Sequence, residues 1–399
     1  MPHPVQGTVT AGFEDVMDAF ARAQQDDPGN AQLCVYHRGR LVVDLWTTRP
    51  TAHGPFGPDH VCLTMSCTKG MTATCVHLLA QRGEVDYDAP VATYWPDFAS
   101  GGKERITVAD VLAHRSGLAA FDPDAPIAAD ALTDWHKTVG ALARTEPLWE
   151  PGTAFAYHAV TFGHLAGEIV RRVDGRSLGQ FLADEVAAPL GLDLWIGLPE
   201  HEEHRVVPQT DAGSAVDPDL FLRLLADAGF DTGSRLIRGY VAAAAQAANG
   251  ATLNRREMHA AQIPAGNGIA NARSLARMYA ALIGPVDGVR LLNQETVDEA
   301  RAPQTDHLHS PAPLDRLPAP FPLRFGLGYE LHRTAVPMLG PGSFGHSGAG
   351  GRLAFAHPER LTAVGYTCTR MAWDFHSGPD TRWLPWTEAL ENSLSRLGR

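Results

Sequence analysis

A serine and a lysine three residues apart, in Ser66-Cys67-Thr68-Lys69, head the run 71–80, which reads as a buried helix ending at Gly83. On a helix, positions i and i+3 share a face, with Cβ atoms about 5–6 Å apart. Ser66 in the first turn therefore holds its hydroxyl beside the Lys69 amine. A serine hydroxyl is a poor nucleophile until a base takes its proton. An amine serves as that base only where burial and neighbouring positive charge lower its pKa. The helix N-terminus adds free N–H groups and partial positive charge where an oxyanion would form. Lysine occurs only at 69, 103 and 137, although Lys and Arg together number 33. Arginine does not deprotonate in proteins, so a lysine at 69 is what base chemistry requires. Ser100-Gly101-Gly102-Lys103 repeats the spacing, but its two glycines make it a loop with nothing to fix serine against lysine.

Two more stretches carry usable chemistry. Tyr157 closes the loop 149–157, where a phenol can point into a cleft. As a phenolate it would act as a general base if nearby cations lowered its pKa from about 10. Gly345-His346-Ser347-Gly348-Ala349-Gly350-Gly351 leads into a strand from Arg352, and small residues there let backbone approach a ligand. The stretch nearly matches G-x-S-x-G, but position 349 is alanine and a strand follows where a helix should. Ser347 is therefore not read as a nucleophile.

The elements that position these residues follow from periodicity and punctuation. Phe13, Val16, Met17 and Phe20 mark a helix over roughly 10–25. The β-rich runs 31–36 and 41–46 surround a hairpin turn, and a Pro/Gly-rich loop over 47–60 delivers the chain to Ser66. Thr107 and Asp110 form a capping box opening 108–114. Phe162, Leu165, Ile169, Val170 and Val173 make a helical stripe that stops at Gly175, and Ser177 with Gln180 caps the next helix. Residues 215–250 read as alanine-rich helix and 273–282 as a further helix. After a proline-rich stretch over 302–323, β character returns in 326–332, 352–357 and 361–367, and a helix over about 383–397 finishes the chain. The expected fold is α/β (α+β): an antiparallel sheet flanked by N- and C-terminal helices, plus an all-helical lobe. The sheet lobe comprises 1–65 and 265–399, the helical lobe 66–264, with the site in the cleft between them.

Composition narrows the partners. A net charge of −12 over 399 residues argues against nucleic acid. The start has no basic n-region or apolar h-region, and no apolar run is long enough to span a membrane. The five cysteines lack C-x-x-C spacing and read as reduced thiols of a cytoplasmic protein, with Cys67 turned away from the site as packing. His201-Glu202-Glu203-His204 lacks H-E-x-x-H spacing, and His307-Leu308-His309 has no evident third ligand, so no metal or cofactor is expected.

Together, Ser66-Cys67-Thr68-Lys69, Tyr157 and His346-Ser347-Gly348 resemble the motifs of the serine β-lactamase and penicillin-binding-protein superfamily. The nearest match is its class C-like branch, close to the family VIII carboxylesterases. The segment 110–118, Glu150-Pro151-Gly152, Gly175-Arg176-Ser177 and Pro189-Leu190-Gly191 are similar to it as well, so the resemblance covers most of the chain. It implies a class C β-lactamase-like fold and acylation of Ser66, with Lys69 and Tyr157 sharing the proton traffic. It implies that His346 hydrogen-bonds near Tyr157 or the substrate, and that Ser66 and Ala349 N–H groups form the oxyanion hole. Ser347 and Gly348 would line the substrate. Two departures matter. Tyr157-His158-Ala159 lacks the asparagine that meets a β-lactam side chain, and His346, only partly charged near neutrality, replaces a lysine. The expected function is a carboxylesterase cleaving small esters through acyl-Ser66. The alternatives are an acyltransferase or amide synthase using the same acyl-enzyme, a β-lactamase or D-amino-acid peptidase, or an inactive binding protein. The expected partner is a small-molecule ester or amide, with oligomeric state left open and the loops 210–262 and 302–323 setting the substrate.

Overall fold

Both ends of the chain build one sheet. The computed structural model describes residues 5–52, 54–211, 217–247, 250–317, 322–373 and 378–397. Seven antiparallel strands run in the order Val5–Val9, Arg40–Thr47, Ala31–His37, Thr362–Cys368, Arg352–His357, Phe344–Gly348, Glu330–Leu331. Successive side chains of a strand point to opposite faces. In Ala31–His37, accordingly, Leu33 and Val35 pack with one apolar cluster and Cys34 and Tyr36 with the other. The first cluster includes Val16, Ala19 and Phe20 of the helix Glu14–Ala23 and Trp386 and Leu390 of the helix Leu384–Leu397. On the other face lies the helix Ala272–Ile283. Gly365 lets it come close: a Cβ there would stand 2.3 Å from the Ala272 carbonyl oxygen.

Behind that layer sits the helix Thr68–Gln81, buried from residue 68 through 79. A helix apolar on every side belongs in a core, and its polar residues are satisfied locally. Thr72 donates to the Pro264 carbonyl at 2.7 Å, and His77 meets Tyr87 and the Leu327 carbonyl at 2.6 and 2.9 Å. Phe162, Leu165, Ala166 and Ile169 of the helix Thr161–Asp174 belong to the same cluster. That helix ends at Gly175 in the left-handed conformation, φ 92°, and the Thr107–Asp110 capping box forms with both hydrogen bonds at 3.1 Å. A small sheet of Cys62–Leu63, Ile269–Ala270 and Leu194–Trp195 joins the approach to Ser66 to distant parts of the chain.

Several expectations need correction. Val5–Val9 is a strand that periodicity missed. Phe344–Gly348 is itself a strand, whereas its glycines read as a loop before one. Of 326–332, only Glu330–Leu331 pairs, because Gly328 takes φ 80° to bring the chain close to Ala73. The helix after Ser177 proceeds through a π turn at Ala183–Ala187. The 215–250 region splits into Pro218–Asp227 and Arg235–Ala247, and parts of the expected loops, 212–216, 248–249 and 318–321, lie outside the described residues. Among the described residues, no helix is long and apolar enough to cross a membrane.

Candidate active site

The turn that carries Ser66 is strained and tightly held. Met65 takes φ 51°, a conformation uncommon for a side chain other than glycine and often found at functional sites. Ser66 then lies in the 3-10 turn Met65–Cys67, which runs into Thr68–Gln81. The turn is pinned from below by Thr68, whose hydroxyl donates to the Met65 carbonyl at 2.5 Å and accepts the Gly268 amide at 2.9 Å. Gly268 is required there, since a Cβ would come within 2.7 Å of the Thr68 hydroxyl. The Cys67 thiol, fully buried, donates to the His346 carbonyl at 3.1 Å and so joins the turn to the sheet.

Lys69 lies beside Ser66 at the middle of the cluster. Its Nζ is 3.3 Å from Ser66 Oγ, and it donates to the carbonyls of Ala159 at 2.9 Å and Ala265 at 2.7 Å. No carboxylate is bonded to it among the described residues. Burial disfavours the charged form and brings the amine down from its ordinary 10.5 to about 7, against the opposing pull of Cys67 and Glu330. Two N–H bonds of a neutral amine satisfy the two carbonyls, which leaves the third direction, with its lone pair, toward Ser66.

Tyr157 lies against both. Its ring stacks on Phe325 with centroids 5.7 Å apart, meets His114 edge-on at 5.1 Å, and has Lys69 Nζ 4.8 Å from its centre. The phenolate expectation fails. Burial raises the phenol well above its ordinary 10, and a hydrogen bond with Ser66 opposes this only in part. Tyr157 is a neutral hydroxyl, so the group in this site that deprotonates near neutrality is Lys69.

His346 is also corrected. It is buried, its Nδ1–H donates to the Ser347 carbonyl at 2.6 Å, and Nε2 has no partner among the described residues. Burial chiefly, with Lys69 and Arg333 adding to it, lowers the ring to about 4 although Glu330 pulls the other way. It is therefore a neutral imidazole, not partly charged, and presents an acceptor within a ring distance of 6.1 Å from Tyr157. Ser347, expected to line the substrate, gives both its amide, at 2.8 Å, and its hydroxyl, at 2.6 Å, to Glu330 Oε2.

Glu330 was missed in the sequence. Burial alone would raise its carboxyl, but Arg333 and the Ser347 hydrogen bonds hold it below its ordinary value. Its other oxygen takes Arg333 Nε at 2.7 Å. A charged residue inside an apolar β-rich run, 325–331, was the available signal. Also missed was a second layer behind Tyr157. His158 donates through Nδ1 to the Ala156 carbonyl at 2.6 Å and takes Ser116 Oγ on Nε2 at 2.8 Å, while its amide donates to His114 Nδ1 at 3.2 Å.

Gly348 comes from the sheet side against the segment entering Ser66, with Ala349 next in the chain. A Cβ on Gly348 would lie 2.5 Å from the Thr64 carbonyl oxygen. Gly351 N–H bonds Gly348 O at 3.0 Å, closing a turn in which Ala349 is the second residue. An amide at that position is not used by the turn, nor is that of Ser66 in the first turn of a helix. Lys103, the decoy, is buried and gives its Nζ to the Ser100, Ala143 and Thr145 carbonyls; the Ser100 hydroxyl donates to the same Ala143 carbonyl, so this loop is fixed after all, with both groups spent on backbone.

The Beta-lactamase family model matches residues 15–384, and the chain belongs to that family. It is 35% identical over 378 residues to the Esterase/beta-lactamase LipL of Mycobacterium tuberculosis, covering 92% of this chain and 83% of that one. Among solved structures it is similar to a family VIII carboxylesterase, with TM-score 0.78 and 33% identity over 97% of this chain and 98% of the other. EstA from Arthrobacter nitroguajacolicus Rue61a aligns with TM-score 0.80 and 30% identity over 99% and 100% of the two chains.

Proposed function

We propose that the protein is a carboxylesterase that cleaves small esters through an acyl-Ser66 intermediate. The observation that carries this reading is the Lys69 amine, buried and brought down to about 7, with one free direction 3.3 Å from Ser66 Oγ. Lys69 takes the Ser66 proton as Oγ attacks the ester carbonyl. The oxyanion that develops is received by the N–H groups of Ser66 and Ala349, donors of a kind worth a few kcal/mol each. Tyr157, hydrogen-bonded to Ser66 and protonated, gives its proton to the departing alkoxide and recovers one from Lys69. Water then attacks the acyl group by the reverse proton path. His346 Nε2, an unprotonated acceptor without a partner among the described residues, orients the attacking water. The substrate enters between the sheet lobe, 1–65 and 265–399, and the helical lobe, 66–264.

Neutral esters suit the site better than β-lactams. The position of the missing lysine holds an uncharged imidazole, Ser347 has no hydrogen left to give, and Ala159 offers only its carbonyl, to Lys69. The names of two relatives, an esterase/beta-lactamase and a family VIII carboxylesterase, support an esterase reading.

The test is intact-protein mass spectrometry after brief exposure to p-nitrophenyl butyrate, beside Ser66→Ala. Turnover with a transient butyryl mass that is absent from the variant is the expected outcome. Turnover surviving in Ser66→Ala refutes the site. An adduct that clears only when an alcohol or amine is added makes the protein an acyltransferase.

A further inference from the structure

Two arginines converge on the turn that carries Ala349, and they are treated very differently. Arg382 gives Nη2 to the Gly350 carbonyl at 2.5 Å and is matched by two carboxylates, Asp380 at 2.6 Å and Asp27 at 3.0 Å. Arg352 is fully buried, yet no carboxylate lies within ion-pair distance of it among the described residues. Its acceptors are all neutral oxygens. Nε donates to the Leu63 carbonyl at 3.1 Å, Nη1 to the Ala349 carbonyl at 3.0 Å, and Nη2 reaches the Gln209 side-chain oxygen at 3.5 Å. The fold makes room for this group: a Cβ on Gly350 would stand 2.3 Å from Arg352 Nη1.

A buried cation without a counter-ion is costly, and this one is placed where a negative charge is due. Its first contact lies three residues before Ser66, and its second is the carbonyl of Ala349. It therefore bridges the two segments whose amides receive the oxyanion. We propose that Arg352 is a positioning residue for the oxyanion hole, a deduction that rests on the acyl-Ser66 reading. The guanidinium fixes the Ala349 peptide against the segment entering Ser66, and its uncompensated charge is answered only when the tetrahedral intermediate forms. Because the ground-state ester is neutral, the effect falls on kcat and spares KM.

The experiment compares wild type, Arg352→Gln and Arg352→Lys in turnover of p-nitrophenyl butyrate and in inhibition by butylboronic acid, whose adduct on serine is tetrahedral and anionic. Glutamine keeps a donor and loses the charge, and lysine keeps the charge. The glutamine variant is expected to lose roughly ten- to hundred-fold in kcat and in boronate affinity alike, less than the roughly hundred- to thousand-fold cost of removing an oxyanion donor itself. Its KM stays near wild type, and lysine restores most of both losses. Wild-type kcat and boronate affinity in Arg352→Gln overturn the proposal, as does a change confined to KM. Failure of both variants to fold also overturns it, since the bridge would then serve stability. If boronate does not bind wild type through Ser66, as judged against Ser66→Ala, the acyl-enzyme reading fails first, and that is seen before the variants are compared.

Discussion

The Lys69 amine makes a quantitative demand on the pH profile. With the pKa near 7, about half of the amine is free base at pH 7, about a tenth at pH 6 and about 1% at pH 5; at the ordinary value, only about 0.03% would be free at pH 7. Burial thus raises the usable base more than a thousand-fold at neutrality, by about three and a half units of pKa. No neighbour blurs this limb. His346 and His158 titrate near 4, and Tyr157 lies well above 10. The assay is kcat/KM for p-nitrophenyl butyrate from about pH 5 to 9, corrected for spontaneous hydrolysis, since this ratio reports ionisations of the free enzyme. The expected profile rises tenfold per pH unit below about 6.5, bends near 7 and stays flat above. Lys69→Arg, which cannot deprotonate, is expected to lose about 10²–10⁴-fold at pH 7 and above, the gap narrowing as the wild type falls at lower pH. A profile flat down to pH 5, or one still rising tenfold per unit at pH 9, refutes the lysine base. The first assigns proton removal to a group such as His346, and the second requires a lysine that remains charged.

Two further outcomes separate chemistry from stability. Glu330→Gln removes one member of a buried pair and leaves Arg333 without its charge partner; thermal and urea unfolding should show a loss of about 3–5 kcal/mol, with esterase activity falling as Ser347 loses its anchor. Lys103→Met strands the Ser100 and Thr145 carbonyls that its Nζ now satisfies, while Ala143 keeps the Ser100 hydroxyl, and should cost about 1–3 kcal/mol in urea unfolding, while kcat per folded molecule stays at the wild-type value.

How much of this was legible in the sequence depends on where each interaction is encoded. The Ser66–Lys69 pairing is a local property of helical spacing, so it could be read directly. The hairpin 31–47 and the Gly175 stop were equally legible, because turn chemistry and periodicity are local too. What silences or sharpens the titrating groups is not local. Lys69 is set by the backbone carbonyls of Ala159 and Ala265, 90 and 196 residues away, and a carbonyl has no letter of its own. Burial around Tyr157 comes from Phe325 and His114, which is why the expected phenolate is a neutral phenol. The strand Phe344–Gly348 escaped notice because its glycines and serine have poor strand propensity; pairing along Arg352–His357 and the close approach to Thr64 select small residues there instead.

The central pairing of Ala31–His37 with Thr362–Cys368 has a consequence for how the molecule comes into being. The nucleophile turn meets the His346 carbonyl across 279 residues of chain. During synthesis, Ser66 and Lys69 leave the ribosome long before the strands that complete their surroundings. The Thr68–Gln81 helix must wait with its apolar faces uncovered, and closing so long a loop is slow. The surroundings of Ser66 and Lys69 are therefore complete only after almost all of the chain has emerged, unlike a site assembled from neighbouring segments.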